Sequence, residues 1–133
     1  DKLKAEIGNT LPSSIKLMPF VKDMSLAYAA CDITIARAGA GTISELCIIG
    51  KPAVLVPSPN VAEDHQTKNA MALVNKSAAI LVKDSEARQV LINEVLSLLQ
   101  DKDKISELSK NIKELALEHA DDDIAHQVLS LIK

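Results

Sequence analysis

Short apolar runs alternate with amphipathic stretches along most of the chain. The opening DKLKAEIGN predicts the tail of a helix, with Gly8 as its stop. Ile15-Lys16-Leu17-Met18 predicts a short strand ended by Pro19, and Met24 to Ala30 a short helix capped by Asp23. Asp32 to Ala36 reads as a strand, Thr42 to Ile49 as a helix stopped by Gly50, and Ala53 to Val56 as an apolar strand closed by Pro57 and Pro59. His65 to Val74 predicts a helix and Ala78 to Val82 a strand. Glu86 to Leu99 predicts a helix carrying Val90, Leu91, Val95, Leu98 and Leu99 on one side. Asp103 to Glu118 and Asp122 to Ile132 complete a helical end. The order β-α-β-α-β-α-β-α-α-α predicts an α/β fold, a parallel sheet covered by helices. So few strands make a thin sheet for this class. The expectation is therefore a piece of a larger doubly wound domain whose first strands are missing. A start on Asp1 in place of methionine points the same way, to a longer parent chain.

Composition narrows the class without changing that picture. A chain of 133 residues, 47% hydrophobic and 25% charged, is globular and not disordered. No apolar run approaches the ~20 residues of a membrane span, and the polar start is not a secretory leader. The net charge is −3, and Phe20 and Tyr28 are the only aromatic residues. A nucleic-acid partner wants a basic face and stacking rings, so none is expected. Cys31 and Cys47 form no CxxC pair and are read as buried, reduced and intracellular.

The candidate chemistry begins at Arg37-Ala38-Gly39-Ala40-Gly41, between a strand and a helix. The chain has only 4 glycines, and two sit here. Glycine so rationed marks a sharp bend or the close approach of a partner. Ligands of open α/β sheets bind in loops at the carboxyl ends of strands, where a helix start adds free N–H groups and a positive dipole end. The stretch has the makings of a phosphate cradle, although it is neither a Walker loop nor a full GxGxxG. A purely structural reading competes: Thr42-Ile43-Ser44-Glu45 is a capping box, and Arg37 pairs with a surface carboxylate. The next strand end, PSPNVAEDHQTKNA, presents Glu63, Asp64, His65 and Gln66 at a helix start, with Asp64 as a possible N-cap and Asn69 as a surface amide. Two adjacent strand ends thus offer an anion loop and a polar cluster on one rim, which suits a nucleotide sugar.

The segment RAGAGTISELCIIGKPAVLVPSPNVAEDHQTKNA, with FVKDMSLAYAACD before it, resembles the donor-binding half of MurG-type UDP-N-acetylglucosamine transferases, and is most like Bacteroides-type members. The likeness runs from about Ile15 to the C-terminus. It carries the family pattern of Arg, a small residue, Gly-Ala and Thr-x-Ser-Glu, then Gly-Lys-Pro and Gln66 with Asn69-Ala70. The resemblance implies a Rossmann-like doubly wound sheet, the partial C-terminal domain of a GT-B glycosyltransferase spanning residues 1–133. It implies UDP-GlcNAc as donor and a lipid-linked MurNAc-pentapeptide as acceptor, bound through an N-terminal domain absent from this chain. It also implies an inverting, metal-independent reaction without a cofactor, at the cytoplasmic face of the bacterial inner membrane. The family's roles carry over to Val21, whose backbone reads uracil beside Phe20, and to Glu45, which holds the ribose diol. Ala38, Gly39, Ala40, Gly41 and Thr42 would lie against the diphosphate with Arg37 nearby. Gln66 and His65 would contact GlcNAc hydroxyls, although His65 departs from the Gln-Gln common in the family. No catalytic base is expected in this chain, so the chain alone is expected to be inactive and soluble. Two other readings stay open: a separate donor-binding subunit of a two-chain transferase, and a non-enzymatic nucleotide-binding module.

His119 and His126, with Asp121, Asp122 and Asp123, superficially suggest a metal cluster. The acids are better read as the start of the last helix, with Asp121 or Asp122 as its cap. Glu107, Lys110 and Glu114 read as a solvated helix face.

Overall fold

A computed structural model describes residues 11–132, so the predicted helix tail ending at Gly8 lies outside the described residues. Helix α1 is Met24–Ala30, strand β1 Thr34–Ala36, helix α2 Ala40–Ile49 and strand β2 Ala53–Leu55. A 3-10 turn at Ala62–Asp64 leads into α3, His65–Val74, and then β3, Ile80–Leu81. Helices α4 (Asp84–Gln100), α5 (Lys102–Lys113) and α6 (Ala120–Ser130) follow. The strands form a 3-stranded parallel sheet in the order β1-β2-β3. Thr34 lies opposite Ala53 and Ala36 opposite Leu55, while Val54 and Leu55 face Ile80 and Leu81.

Strand β2 explains why the sheet is covered on both faces. All three of its residues are 0% exposed, as a central parallel strand requires. Ala53 and Leu55 turn towards Leu46 and Cys47 of α2, Ala70 and Leu73 of α3, and Ile112 of α5. Val54, with Val56, turns to the opposite face against Leu98 of α4 and Leu108 of α5. Leu46, Leu55, Leu108 and Ile112 are fully buried, each stabilising the fold by about 1.5–3 kcal/mol relative to exposure. Burial also pushes the Cys47 thiol pKa above its ordinary value. Cys31 is only half-buried, against the expectation that both cysteines are buried.

Local chemistry sets the element ends. The Asp23 carboxylate accepts from Leu26 N–H at 2.9 Å and from the Ser25 hydroxyl at 2.7 Å, capping α1 as predicted; these bonds hold its pKa below the usual carboxylate value. Helix α2 ends at Gly50, whose φ of 65° suits glycine, and Lys113 of α5 donates to the carbonyl of Ile48 at 2.6 Å.

Four expectations are corrected. Ile15–Met18 is not a strand: none of the described strands pairs with it, and Ile15 and Met18 are exposed. A strand exists only as half of a ladder, and an apolar run cannot declare its partner. Helix α2 begins at Ala40 and not Thr42, because Gly39 takes extended backbone (φ −69°, ψ 149°) and its carbonyl accepts from Ile43 N–H at 3.0 Å. The Thr42–Glu45 capping box therefore does not form: no side chain caps α2, and Glu45 is engaged elsewhere. Finally, His119 precedes α6, and Asp121, Asp122 and Asp123 occupy its first turn without capping it. Among the described residues, no helix is long and apolar enough to cross a membrane.

Candidate functional site

Parallel strands bring their carboxyl ends to one rim; α2 and α4 start a few residues beyond β1 and β3, and α3 starts after the longer segment Val56–Asp64. The first loop is Arg37-Ala38-Gly39. Ala38 is 0% exposed and anchors the loop in the core, while Ala40 and Gly41 face outward. With no side-chain cap, the N–H groups of the first turn of α2 project from the helix end at the positive pole of its dipole. Gly41 has no internal steric reason to be glycine: a Cβ there would meet nothing within 4 Å. Nor does it need a positive φ, since Gly50 is the glycine with that conformation. A glycine in a first helical turn, beside open space, is what a site that receives a close-fitting partner requires.

Glu45 lies one turn beyond Gly41, on the same side of α2. Its Oε2 accepts from the Tyr28 hydroxyl at 3.0 Å, which ties α1 to α2. Burial, then the hydrogen bond to Glu45, raise the Tyr28 pKa above its ordinary value. Tyr28 was not among the predicted site residues. Val21, which was, stands just ahead of the α1 cap Asp23 and is half-buried beside exposed Phe20.

The second loop, Val56–Asp64, is held from three sides. Ser58 N–H donates to the Gln66 side-chain oxygen at 2.9 Å, which leaves the Gln66 amide N–H groups as donors. His65 Nδ1 donates to the Ala62 carbonyl at 2.6 Å, so a neutral ring presents Nε2 as an acceptor. Asp64 accepts from the Thr67 hydroxyl at 2.7 Å in place of the predicted backbone capping. Glu63 and Asp64 both have φ of 53°, a left-handed conformation that costs such residues roughly 1–2 kcal/mol each.

Two side chains fasten the loops together. Arg37 Nη1 donates to the carbonyls of Val56 (3.1 Å) and Pro57 (3.2 Å) and pairs with the Asp84 carboxylate at the start of α4. Asn69, predicted as a surface amide, donates to the Ala38 carbonyl at 3.2 Å and joins α3 to the first loop. The arrangement can take an anion at the start of α2, a diol at Glu45 and sugar hydroxyls at the start of α3. Two clefts share Asp84, the partner of Arg37. One of about 470 Å³ lies between Ile35, Arg37, Asp84, Arg88 and Leu91. The other, about 480 Å³, lies between Pro57, Pro59, Thr67, Lys83 and Asp84. Gly41 and Glu45 line neither cleft. Among the described residues, no three His, Cys, Asp or Glu side chains gather as a metal would require.

Against known proteins, the family described as Glycosyltransferase family 28 C-terminal domain matches residues 1–128. The UDP-N-acetylglucosamine--N-acetylmuramyl-(pentapeptide) pyrophosphoryl-undecaprenol N-acetylglucosamine transferase of Bacteroides fragilis is 59% identical over 112 residues, which is 84% of this chain and 30% of that protein. The enzyme of the same name from Bacteroides thetaiotaomicron is 60% identical over the same shares. That from Flavobacterium psychrophilum is 51% identical over 90% of this chain and 33% of its own length. The chain thus spans about a third of the curated relatives it matches. The crystal structure of Acinetobacter baumannii MurG superposes with a TM-score of 0.84 at 28% identity, covering 97% of this chain and 38% of that one.

Proposed function

The chain belongs to the glycosyltransferase family 28 C-terminal domain family and has the fold of the C-terminal domain of a GT-B enzyme; on that premise we propose that it is the UDP-GlcNAc-binding part of a transferase acting on a lipid-linked MurNAc-pentapeptide. The observation that carries the proposal is the start of α2: uncapped N–H groups, open space over Gly41 and the Glu45 carboxylate one turn further on. In the proposed site the diphosphate lies against Ala38–Thr42, where N–H groups and the helix dipole meet its charge. Glu45 accepts from both ribose hydroxyls, and the backbone at Val21 reads the uracil. His65 Nε2 and the Gln66 amide take GlcNAc hydroxyls as acceptor and donor.

In the reaction the acceptor hydroxyl of MurNAc attacks C1 of GlcNAc. The bond from C1 to the diphosphate breaks with inversion, and UDP leaves. Negative charge grows on the diphosphate as that bond breaks, so donors already aimed at it favour the transition state. Arg37 contributes by holding the first loop against Val56, Pro57 and Asp84. The base that takes the hydroxyl proton is proposed to come from the acceptor side, outside these 133 residues. The relatives' printed names place the acceptor on a pyrophosphoryl-undecaprenol lipid. That supports a working position at a membrane surface, and we place it on the cytoplasmic side as part of the same proposal.

Calorimetry with UDP and with UDP-GlcNAc tests the reading. The account expects UDP-GlcNAc to bind more tightly, because His65 and Gln66 add contacts to the sugar. Equal affinity for the two would mark a module that reads only the nucleotide.

A further inference from the structure

We propose that Tyr28 is a positioning residue for ribose recognition: its hydroxyl engages one oxygen of Glu45 and aims the carboxylate at the ribose diol. The inference rests on the donor-site reading above and assigns a role to a residue outside the set carried by the resemblance. Three observations support it. Tyr28 is 9% exposed and packed in the core, so its ring is a fixed mount. Glu45 is exposed, and a glutamate on an exposed helix face otherwise samples several rotamers. The 3.0 Å bond from the phenol to Oε2 removes that freedom.

The stoichiometry of lone pairs allows it. An ionised carboxylate accepts at about four sites, and Tyr28 takes one, leaving room for two ribose hydroxyls. The same bond fixes α1, which follows the Val21 segment, relative to α2. On the donor-site reading, Tyr28 thereby also ties the helix that follows Val21 to the helix that carries Glu45.

The test uses Tyr28→Phe, which keeps the ring and removes only the donor, beside Glu45→Gln. Dissociation constants for UDP-GlcNAc and its 2′-deoxyribose analogue are measured for wild type, both variants and the double variant. Loss of one hydrogen bond predicts that Tyr28→Phe weakens UDP-GlcNAc binding roughly threefold to tenfold. The deoxy donor should be affected less, so discrimination between the two narrows, which general loosening of the core would not produce. In the double variant the effect of Tyr28→Phe should largely vanish.

A second readout needs no ligand. The chain has 1 tyrosine and no tryptophan, so phenolate absorbance reports Tyr28 alone. Burial, the bond to Glu45, the charge of Glu45 and Cys31 all hold its pKa up. Glu45→Gln should bring the titration midpoint down while burial keeps part of the elevation.

Full discrimination in Tyr28→Phe, with discrimination lost in Glu45→Gln, would overturn the positioning role and leave the ribose reading standing. An unmoved midpoint in Glu45→Gln would also overturn it, since a carboxylate bonded to the phenol must hold its pKa up. No effect of Glu45→Gln on donor binding would remove the ribose reading, and this inference with it.

Discussion

Gly41→Asp is expected to leave the protein folded and to weaken UDP-GlcNAc binding by at least about a hundredfold, since a like charge set against a charged ligand costs several kcal/mol. The folded state has no objection to a side chain at this position. A Cβ at Gly41 would meet nothing within 4 Å, and aspartate near a helix start suits the dipole. The cost falls on the ligand: the carboxylate would occupy the space proposed for the diphosphate and repel it. Gly41→Ala separates size from charge. In a helix, alanine is favoured over glycine by up to about 0.8–1.0 kcal/mol, so the melting temperature should hold or rise by a few degrees. Donor binding should still weaken. A glycine whose replacement improves the fold and harms binding is held there for the ligand. If both variants bind the donor as well as wild type, the diphosphate lies elsewhere.

Glu45→Gln carries the second large effect. The capping box offers a reason for Glu45 that needs no ligand, and the structure removes it, because α2 starts after Gly39 with no side-chain cap. What remains is the bond from Tyr28 and a carboxylate facing outward. Glutamine has one accepting oxygen, which cannot serve the phenol and two ribose hydroxyls as a carboxylate does. UDP-GlcNAc binding should weaken tenfold or more, at ~1.4 kcal/mol per decade. The melting temperature should change little, because Glu45 is exposed. The variant should also lose most of its preference for ribose over deoxyribose. Wild-type affinity together with intact discrimination would mean that Glu45 does not read the ribose.

What could be read from the sequence follows the range of the interaction responsible. The strand at Ala53–Leu55 was legible because burial on both faces demands an unbroken apolar run. Asp23 and Gly50 were legible as helix ends because capping is settled within a few residues. The start of α2 lies two positions before the expected Thr42 because Gly39 opens the helix through backbone geometry alone, whereas Thr42 carries the side chain that usually marks a cap. Ile15–Met18 has a strand's composition, but pairing is a long-range property. The same holds within the site. The Arg37–Gly39 loop with the first turn of α2, and the polar start of α3, are each contiguous in sequence and so are legible as candidates. The bond from Tyr28 to Glu45, the span from Arg37 to Asp84 and the link from Asn69 to Ala38 join residues far apart in the chain. Only the lone tyrosine in so aromatic-poor a chain hinted at the first of them.

The carboxyl-end rim, centred on the start of α2, is proposed to receive UDP-GlcNAc. The most direct test is a titration of the isotope-labelled chain with UDP-GlcNAc, followed by amide NMR shifts. Saturable shifts are expected in residues 20–21, 38–45 and 64–69. Bare UDP should move the first two groups and leave 64–69 nearly still. Absence of shifts in those segments at millimolar donor, or shifts gathered instead around the cleft of Arg88 and Leu91, would contradict it.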